Sequence, residues 1–296
     1  MHHYLLPQRR LLLVILSALF GAAEGLRVLI TGGSQGIGLG LARHLLALPE
    51  ITTVISTSRR RSEEQTKLLE QTSDKGRLLL LDLDVTEKTS HEELSRQLRE
   101  AGVDSIDVLI LNHGISNPDH PDDPILSSTE EDMMNCYKTN VVGTLLCLQS
   151  LNDLVLASQI KLVAVLSSKM GSIKETLDGI EGCTSYSTSK AALNMLIAKY
   201  VQDPRVKSAG VRALLLHPGH VSTSLGSSKG RLAPVTVDQS CAGLVKCILA
   251  GAAVQRGVKP DTVGFKDLEE RLLDVNLSFV TYSLTLPYPS TKILPF

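Results

Sequence analysis

Tyr186 and Lys190 stand four residues apart in the string Tyr186-Ser-Thr-Ser-Lys190. On a helix that spacing puts both side chains on one face, within mutual reach. A free phenol titrates at about 10, too high for efficient proton exchange near neutrality. A neighbouring ammonium favours the phenolate and lowers that value, so the pair is a candidate proton donor and acceptor. Tyr–Lys pairs are common by chance, and context decides their meaning. Ser167 and Ser168 follow a short aliphatic run, with Gly171 three residues beyond Ser168. The carboxyl ends of strands are where doubly wound folds place their ligands.

A second group lies near the start, Thr31-Gly32-Gly33-Ser34-Gln35-Gly36-Ile37-Gly38. Gly32 allows a tight turn, Gly36 lets the backbone approach a pyrophosphate, and Gly38 lets a helix pack close to a sheet. The N–H groups at that helix start would face the anion. Such glycines alone could form a flexible loop, but a strand pattern precedes them and an amphipathic helix pattern follows. No Gly-Lys-Ser/Thr ending follows, which excludes a Walker A loop. Further on, Ser58-Arg59-Arg60-Arg61 holds no acid before Glu63. An acid at this place in a dinucleotide fold binds the adenine ribose hydroxyls, whereas Arg accommodates a 2′-phosphate. NADP(H) is therefore expected over NAD(H), with Arg59 as the contact. A solvated basic loop would explain Arg60 and Arg61 better than Arg59. In Asp82-Leu83-Asp84-Val85, Asp84 is the candidate acceptor for the adenine amino group, with Val85 beside it. Either Asp could instead cap Thr86 and the helix after it.

The elements that must position these groups alternate. Strand patterns cover residues 27–31, 53–57, 78–82, 108–112, 161–166 and 211–216, and helical patterns cover 37–48, 63–71 and 87–100. This alternation predicts an α/β fold, a doubly wound parallel sheet of the Rossmann type with helices on both faces, in one domain.

Together the Tyr-x-x-x-Lys pair, the upstream Ser and the Thr-Gly-x-x-x-Gly-x-Gly turn resemble the short-chain dehydrogenase/reductase family. Residues 166–173 and 186–194 are similar to the sniffer- and C-factor-like carbonyl reductase group, and the resemblance covers about residues 26–265. It implies that Tyr186 protonates a carbonyl oxygen as hydride arrives. Lys190 would lower the Tyr pKa and bind the nicotinamide ribose, and Ser168 would hydrogen-bond the substrate oxygen. Asn140 matches the helix Asn that holds a relay water in relatives; the alternative is a satisfied polar residue between helices. Asn112 and Gly114 match the turn beside the cofactor. Pro218, Gly219, Val221 and Thr223 match a Pro-Gly-x-Val-x-Thr segment, with the Val221 backbone and Thr223 expected at the carboxamide. His217 and His220 in that segment read as structural.

The chain departs from the family at several points. His113 replaces the usual Ala and is expected to crowd the cofactor wall. The interval between Ser168 and Tyr186 is long, which implies an extra loop over residues 174–183 at the site mouth. Residues 226–234 make a short cover for the substrate, and the resemblance fades after Phe265, where 268–296 could form an atypical last strand or a disordered extension.

Of the 296 residues, 43% are hydrophobic and 3% aromatic, with no Trp. That gives ample core and excludes a disordered chain or a stacking platform for single strands. Lys+Arg 30 against Asp+Glu 31 offers no electrostatic reason for a nucleic-acid partner. The five cysteines show no metal-ligand spacing and are read as reduced and buried. Residues 1–23 are acid-free, with Arg9 and Arg10 ahead of an apolar run and small residues after it. This layout resembles a signal or transit peptide, against a cytoplasmic expectation from the family, and a retained apolar extension is the alternative. The expected organisation is a leader over 1–25, a catalytic domain over 26–265 and a divergent tail over 266–296, with any membrane contact through the leader. A small carbonyl or alcohol substrate and a homodimer are implied by the resemblance alone. The competing reading is a catalytically silent NADP(H)-binding sensor or scaffold. A sugar-nucleotide epimerase would need a longer C-terminal region.

Overall fold

The computed structural model describes residues 25–117, 122–180, 182–227 and 232–257, together with the backbone of Leu277–Thr281. The expectations for the leader, for most of the tail and for part of the 226–234 cover lie outside the described residues. The elements run β1 (Leu26–Thr31), α1 (Gly36–Leu46), β2 (Ile51–Ser58), α2 (Glu63–Gln71), β3 (Leu78–Asp82), α3 (Lys88–Glu100) and β4 (Val108–Leu111). Then follow α4 (Glu130–Tyr137), a π-helical turn (Lys138–Val142), α5 (Gly143–Ala157), β5 (Leu162–Leu166), α6 (Ile173–Leu177), α7 (Thr184–Gln202) and α8 (Pro204–Ser208). The series closes with β6 (Arg212–His217), α9 (Val237–Gln255) and β7 (Leu277–Thr281).

The strands form one seven-stranded sheet in the order β3-β2-β1-β4-β5-β6-β7, and every pairing is parallel. The order reverses between β1 and β4, so the loops after those two strands diverge and leave a crevice at their carboxyl ends. Six strands match the sequence patterns. The seventh arises inside the stretch read as a tail, where β7 pairs with β6 in the register Ala213↔Leu277 to His217↔Thr281.

Strand side chains alternate between two cores. Val28, Ile30, Val108, Ile110, Leu162, Ala164, Leu214 and Leu216 face α1 and α9. Leu29, Leu109, Val163, Val165, Ala213 and Leu215 face α3, α5 and α7. A strand covered on both faces needs a continuous aliphatic run, which explains why these segments do not alternate with polar residues. By length and apolar composition α9 could cross a membrane, but most of it is buried against the sheet as a core helix.

Candidate functional site

The glycine turn links β1 to α1. Gly32 and Gly36 adopt φ of +69° and +52°, a region that side chains rarely enter. A Cβ on Gly38 would lie 2.3 Å from the Gly32 carbonyl oxygen, so the first turn of α1 can approach only because that position is bare. Gln35 gives α1 no side-chain cap, and the first turn holds no acid. Its N–H groups remain available to an anion. Asn112 fastens the turn from below, its Nδ2 donating to Thr31 O at 3.0 Å and to Gly32 O at 2.9 Å. Ile37 packs against the core.

Ser34 is tied to the neighbouring strand end. Its carbonyl accepts from Ser62 Oγ at 2.7 Å, and Ser62 caps α2 through a capping box with Gln65. Gln65 is buried and also bonds Ser58 Oγ at 3.2 Å and Ser56 Oγ at 3.2 Å. The three arginines between these anchors separate in role. Arg61 donates to Leu80 O at 3.3 Å and so belongs to the sheet edge, while Arg59 and Arg60 are exposed. Arg59 makes no ion pair among the described residues.

While α3 begins after Glu87 with no side-chain cap, Asp84 bonds Thr86. Its Oδ1 accepts from Thr86 N at 2.9 Å and Thr86 Oγ1 at 2.7 Å. Burial works to raise its pKa, but the Thr86 bonds and the charges of Arg59 and Lys138 outweigh it and hold the carboxyl below its ordinary value. The field of Arg59 therefore reaches Asp84. Val85 is buried against Gly143 at the start of α5.

The other group gathers after β4, β5 and β6. Ser168 is buried and caps a short turn through Met170 N, 3.2 Å from its Oγ. It also acts on the Tyr186 hydroxyl, working to lower the phenol pKa. Tyr186 lies in the first turns of α7, and Lys190 one turn on places its Nζ 5.6 Å from the phenol ring centroid. Lys190 is buried and donates to Leu166 O at 2.8 Å. The spacing brought the pair together as expected, but the phenol pKa moves up and not down. Burial pushes Tyr186 up to about 12, against the opposing effect of Ser168, and the ammonium is aimed at a carbonyl. Burial pushes Lys190 down to about 8.

Asn140 sits in the π-helical turn with its side chain fully buried. Its Oδ1 accepts from Ile115 N at 2.8 Å, and its Nδ2 donates to Ile115 O and Ser189 Oγ, both at 2.9 Å. The amide thus staples the loop after β4 to α7. Gly114 belongs to the same cluster, since a Cβ there would stand 3.4 Å from Lys190 Nζ. His113 stands against the glycine turn, where a Cβ on Gly32 would meet its Cβ at 3.3 Å. Its buried ring bridges Thr31 Oγ1 at 2.7 Å and Thr144 Oγ1 at 3.2 Å. Because Thr144 donates its own proton to Asn140 O, the ring carries its hydrogen on Nε2 and accepts from Thr31 at Nδ1. Burial lowers its pKa to about 3, with Lys190 and His91 adding to the effect, so it stays neutral.

After β6, Pro218 O accepts from Ser240 Oγ at 2.8 Å and Gly219 turns the chain with φ +87°. Val221 bridges Val235. Thr223 closes against the glycine turn, where a Cβ on Gly36 would meet its methyl at 3.3 Å. His220 Nε2 bonds Gly226 O at 2.7 Å, a local loop contact. The long interval before Tyr186 contains α6, which carries Ile173 and Leu177 into solvent. All five cysteines are buried and none forms a disulfide.

Sequence reading missed Asn194, which accepts from Ser167 Oγ at 2.6 Å, and Ser189. Both share helical spacing with Tyr186 and Lys190, a signal that was available. Asp123 was also missed. It contacts the start of α7 from 62 residues away, a distance no local pattern spans.

The comparisons with known proteins agree with this fold. A family model described as short chain dehydrogenase matches residues 27–231. A short-chain dehydrogenase of Neurospora crassa, srdF, is 32% identical over 234 residues, covering 75% of this chain and 88% of its own length. The crystal structure of an NADPH-bound carbonyl reductase from chicken fatty liver superposes with TM-score 0.67 at 30% identity, covering 76% of this chain and 92% of the other. The carbonyl reductase Sniffer of D. melanogaster gives TM-score 0.67 at 25% identity, with the same coverage of 76% and 92%.

Proposed function

The chain belongs to the short-chain dehydrogenase family of oxidoreductases, and from that premise we propose that it reduces a small carbonyl compound, or oxidises the matching alcohol, with NADP(H). The observation that carries this reading is the convergence of Ser168, Tyr186 and Lys190 beside a glycine turn whose helix start has no cap of its own. The residues present fit the cofactor. The bare N–H groups of α1, with Gly32, Ser34, Gly36 and Gly38, would hold the pyrophosphate, and Arg59 would pair with the 2′-phosphate. Asp84, Val85, Asn112 and Gly114 would line the adenosine and ribose walls, and Pro218, Gly219, Val221 and Thr223 the nicotinamide end. When bound, NADPH supplies the hydride.

Tyr186 gives its phenolic proton to the substrate oxygen, and Ser168 hydrogen-bonds the same oxygen as charge develops on it. Lys190 holds its charge beside the phenol and binds the ribose hydroxyls, for which its two protons not given to Leu166 O remain. Tyr186 accepts a proton in the oxidative direction. Burial keeps the phenol protonated, and the Lys190 ammonium beside it favours the phenolate that donation leaves behind. Tyr186→Phe is expected to lower kcat by about a hundredfold or more while NADPH binding, read by fluorescence of the bound nucleotide, is unchanged. Full turnover in that variant would contradict the assignment.

A further inference from the structure

Helix α7 carries the proton donor but begins without a cap of its own. Its N-cap position is Cys183, which has φ 52° and makes no side-chain capping bond. The first-turn N–H groups are instead met from the loop after β4. The Asp123 carboxylate accepts from Ser185 N at 2.9 Å and from the Ser185 hydroxyl, while Asp123 O accepts from Thr184 N at 3.2 Å. Asp123 is 4% exposed and Ser185 1%. Ser128 Oγ reaches the same carboxylate oxygen at 3.3 Å, which fixes the acid from its own side. A negative charge at this place also opposes the positive end of the helix dipole.

We infer that Asp123 is a positioning residue for proton transfer: it clamps the first turn of α7 and thereby holds Tyr186 against Ser168. Ser185 immediately precedes Tyr186, so a displacement of its N–H moves the phenol directly. The loop that supplies Asp123 also supplies Ile115, whose backbone is stapled to Asn140 and through it to Ser189 of α7. Two anchors from one loop thus grip the helix on successive turns. Asp123 touches neither the glycine turn nor Arg59, so its removal leaves the cofactor cradle intact. The catalytic consequence rests on the reading of Tyr186 given above, whereas the clamp itself does not.

The test compares full-length wild type, Asp123→Asn, Asp123→Ala and Ser158→Ala. The last removes a half-buried hydrogen bond to Asp107, in the turn before β5 at the opposite end of the sheet. Turnover is expressed per NADPH-binding site, and hydrogen exchange is read for the amides of Thr184 and Ser185. In Asp123→Ala both amides are expected to exchange at least about tenfold faster. Turnover per site should fall about tenfold to a hundredfold, with the NADPH dissociation constant within about twofold of wild type. Asp123→Asn keeps an oxygen acceptor and should recover part of both losses. Unchanged exchange in Asp123→Ala would overturn the clamp. Faster exchange with unchanged turnover per site, or an equal loss in Ser158→Ala, would overturn the positioning role. A wild type that turns over no carbonyl would instead retire the functional reading, and the exchange rates would still decide the clamp.

Discussion

Burial moves the two ionisable partners of the site toward neutrality, the Tyr186 phenol up to about 12 and the Lys190 ammonium down to about 8. The signs have a consequence for stability. Between pH 8 and the unfolded value near 10.5, the folded chain has released the Lys190 proton that the unfolded chain still holds. The contribution of Lys190 to stability therefore rises with pH across that window. From about 10 to 12 the folded chain keeps the Tyr186 proton that the unfolded chain releases, and stability falls. Lys190→Met is expected to remove about 2 kcal/mol of the stability gain between pH 7.5 and 9.5, measured as urea midpoints of both proteins. An identical pH dependence in the variant would show that the lysine is not desolvated. The pairing of Tyr186 with Lys190 and Ser168 was legible because helical spacing and strand-end placement are local rules. The electrostatic sign was not, because the spacing of Tyr and Lys says nothing about where the ammonium hydrogen bonds point. Leu166 O takes one of them. The bond from Ile115 N to the Asn140 side chain was not legible either, since the two lie 25 residues apart.

Turns between elements, more than the elements themselves, set the site. The α2 capping box ties Ser62 to Ser34 and so joins the Arg59 loop to the glycine turn. Ser62→Ala is expected to lower stability by about 1 kcal/mol. It should also raise the KM for NADPH while leaving kcat unchanged, in thermal melts and initial rates respectively. A second junction is Gly171, where an added Cβ would stand 2.7 Å from the Lys190 carbonyl carbon and 2.9 Å from Ala191 N. Backbone atoms cannot rotate away. Gly171→Ala should cost about 1–3 kcal/mol and reduce kcat by separating the Ser168 turn from α7, seen by urea titration and initial rates. Wild-type behaviour would mean that this contact relaxes freely. Strand positions were largely legible, because doubly buried strands must be aliphatic. His113 was less so: its replacement of a smaller residue was legible, but not the two hydroxyls, of Thr31 and Thr144, that hold the ring.

On the scale of the whole molecule, a parallel sheet with a reversal between β1 and β4 brings the carboxyl ends of four strands around one crevice. The glycine turn stands on β1, Asn112 and Gly114 follow β4, Ser168 follows β5, and Thr223 reaches back from beyond β6 to touch Gly36. Chain order alone could not show that last contact, because 187 positions separate the two residue numbers. Nor could it place β7, whose pairing with β6 depends on a neighbouring edge and not on its own composition. Near-neutral net charge conceals Arg59 and Arg60 held exposed beside the crevice. The most direct test of the proposed chemistry is initial-rate oxidation of NADPH and of NADH by the full-length protein over a panel of aldehydes, ketones and quinones, with Arg59→Ala alongside. NADPH oxidation with at least one carbonyl, slower with NADH, is expected, and Arg59→Ala should raise the KM for NADPH about tenfold or more without affecting NADH. Tight NADPH binding with no oxidation of either nucleotide across the panel would contradict it.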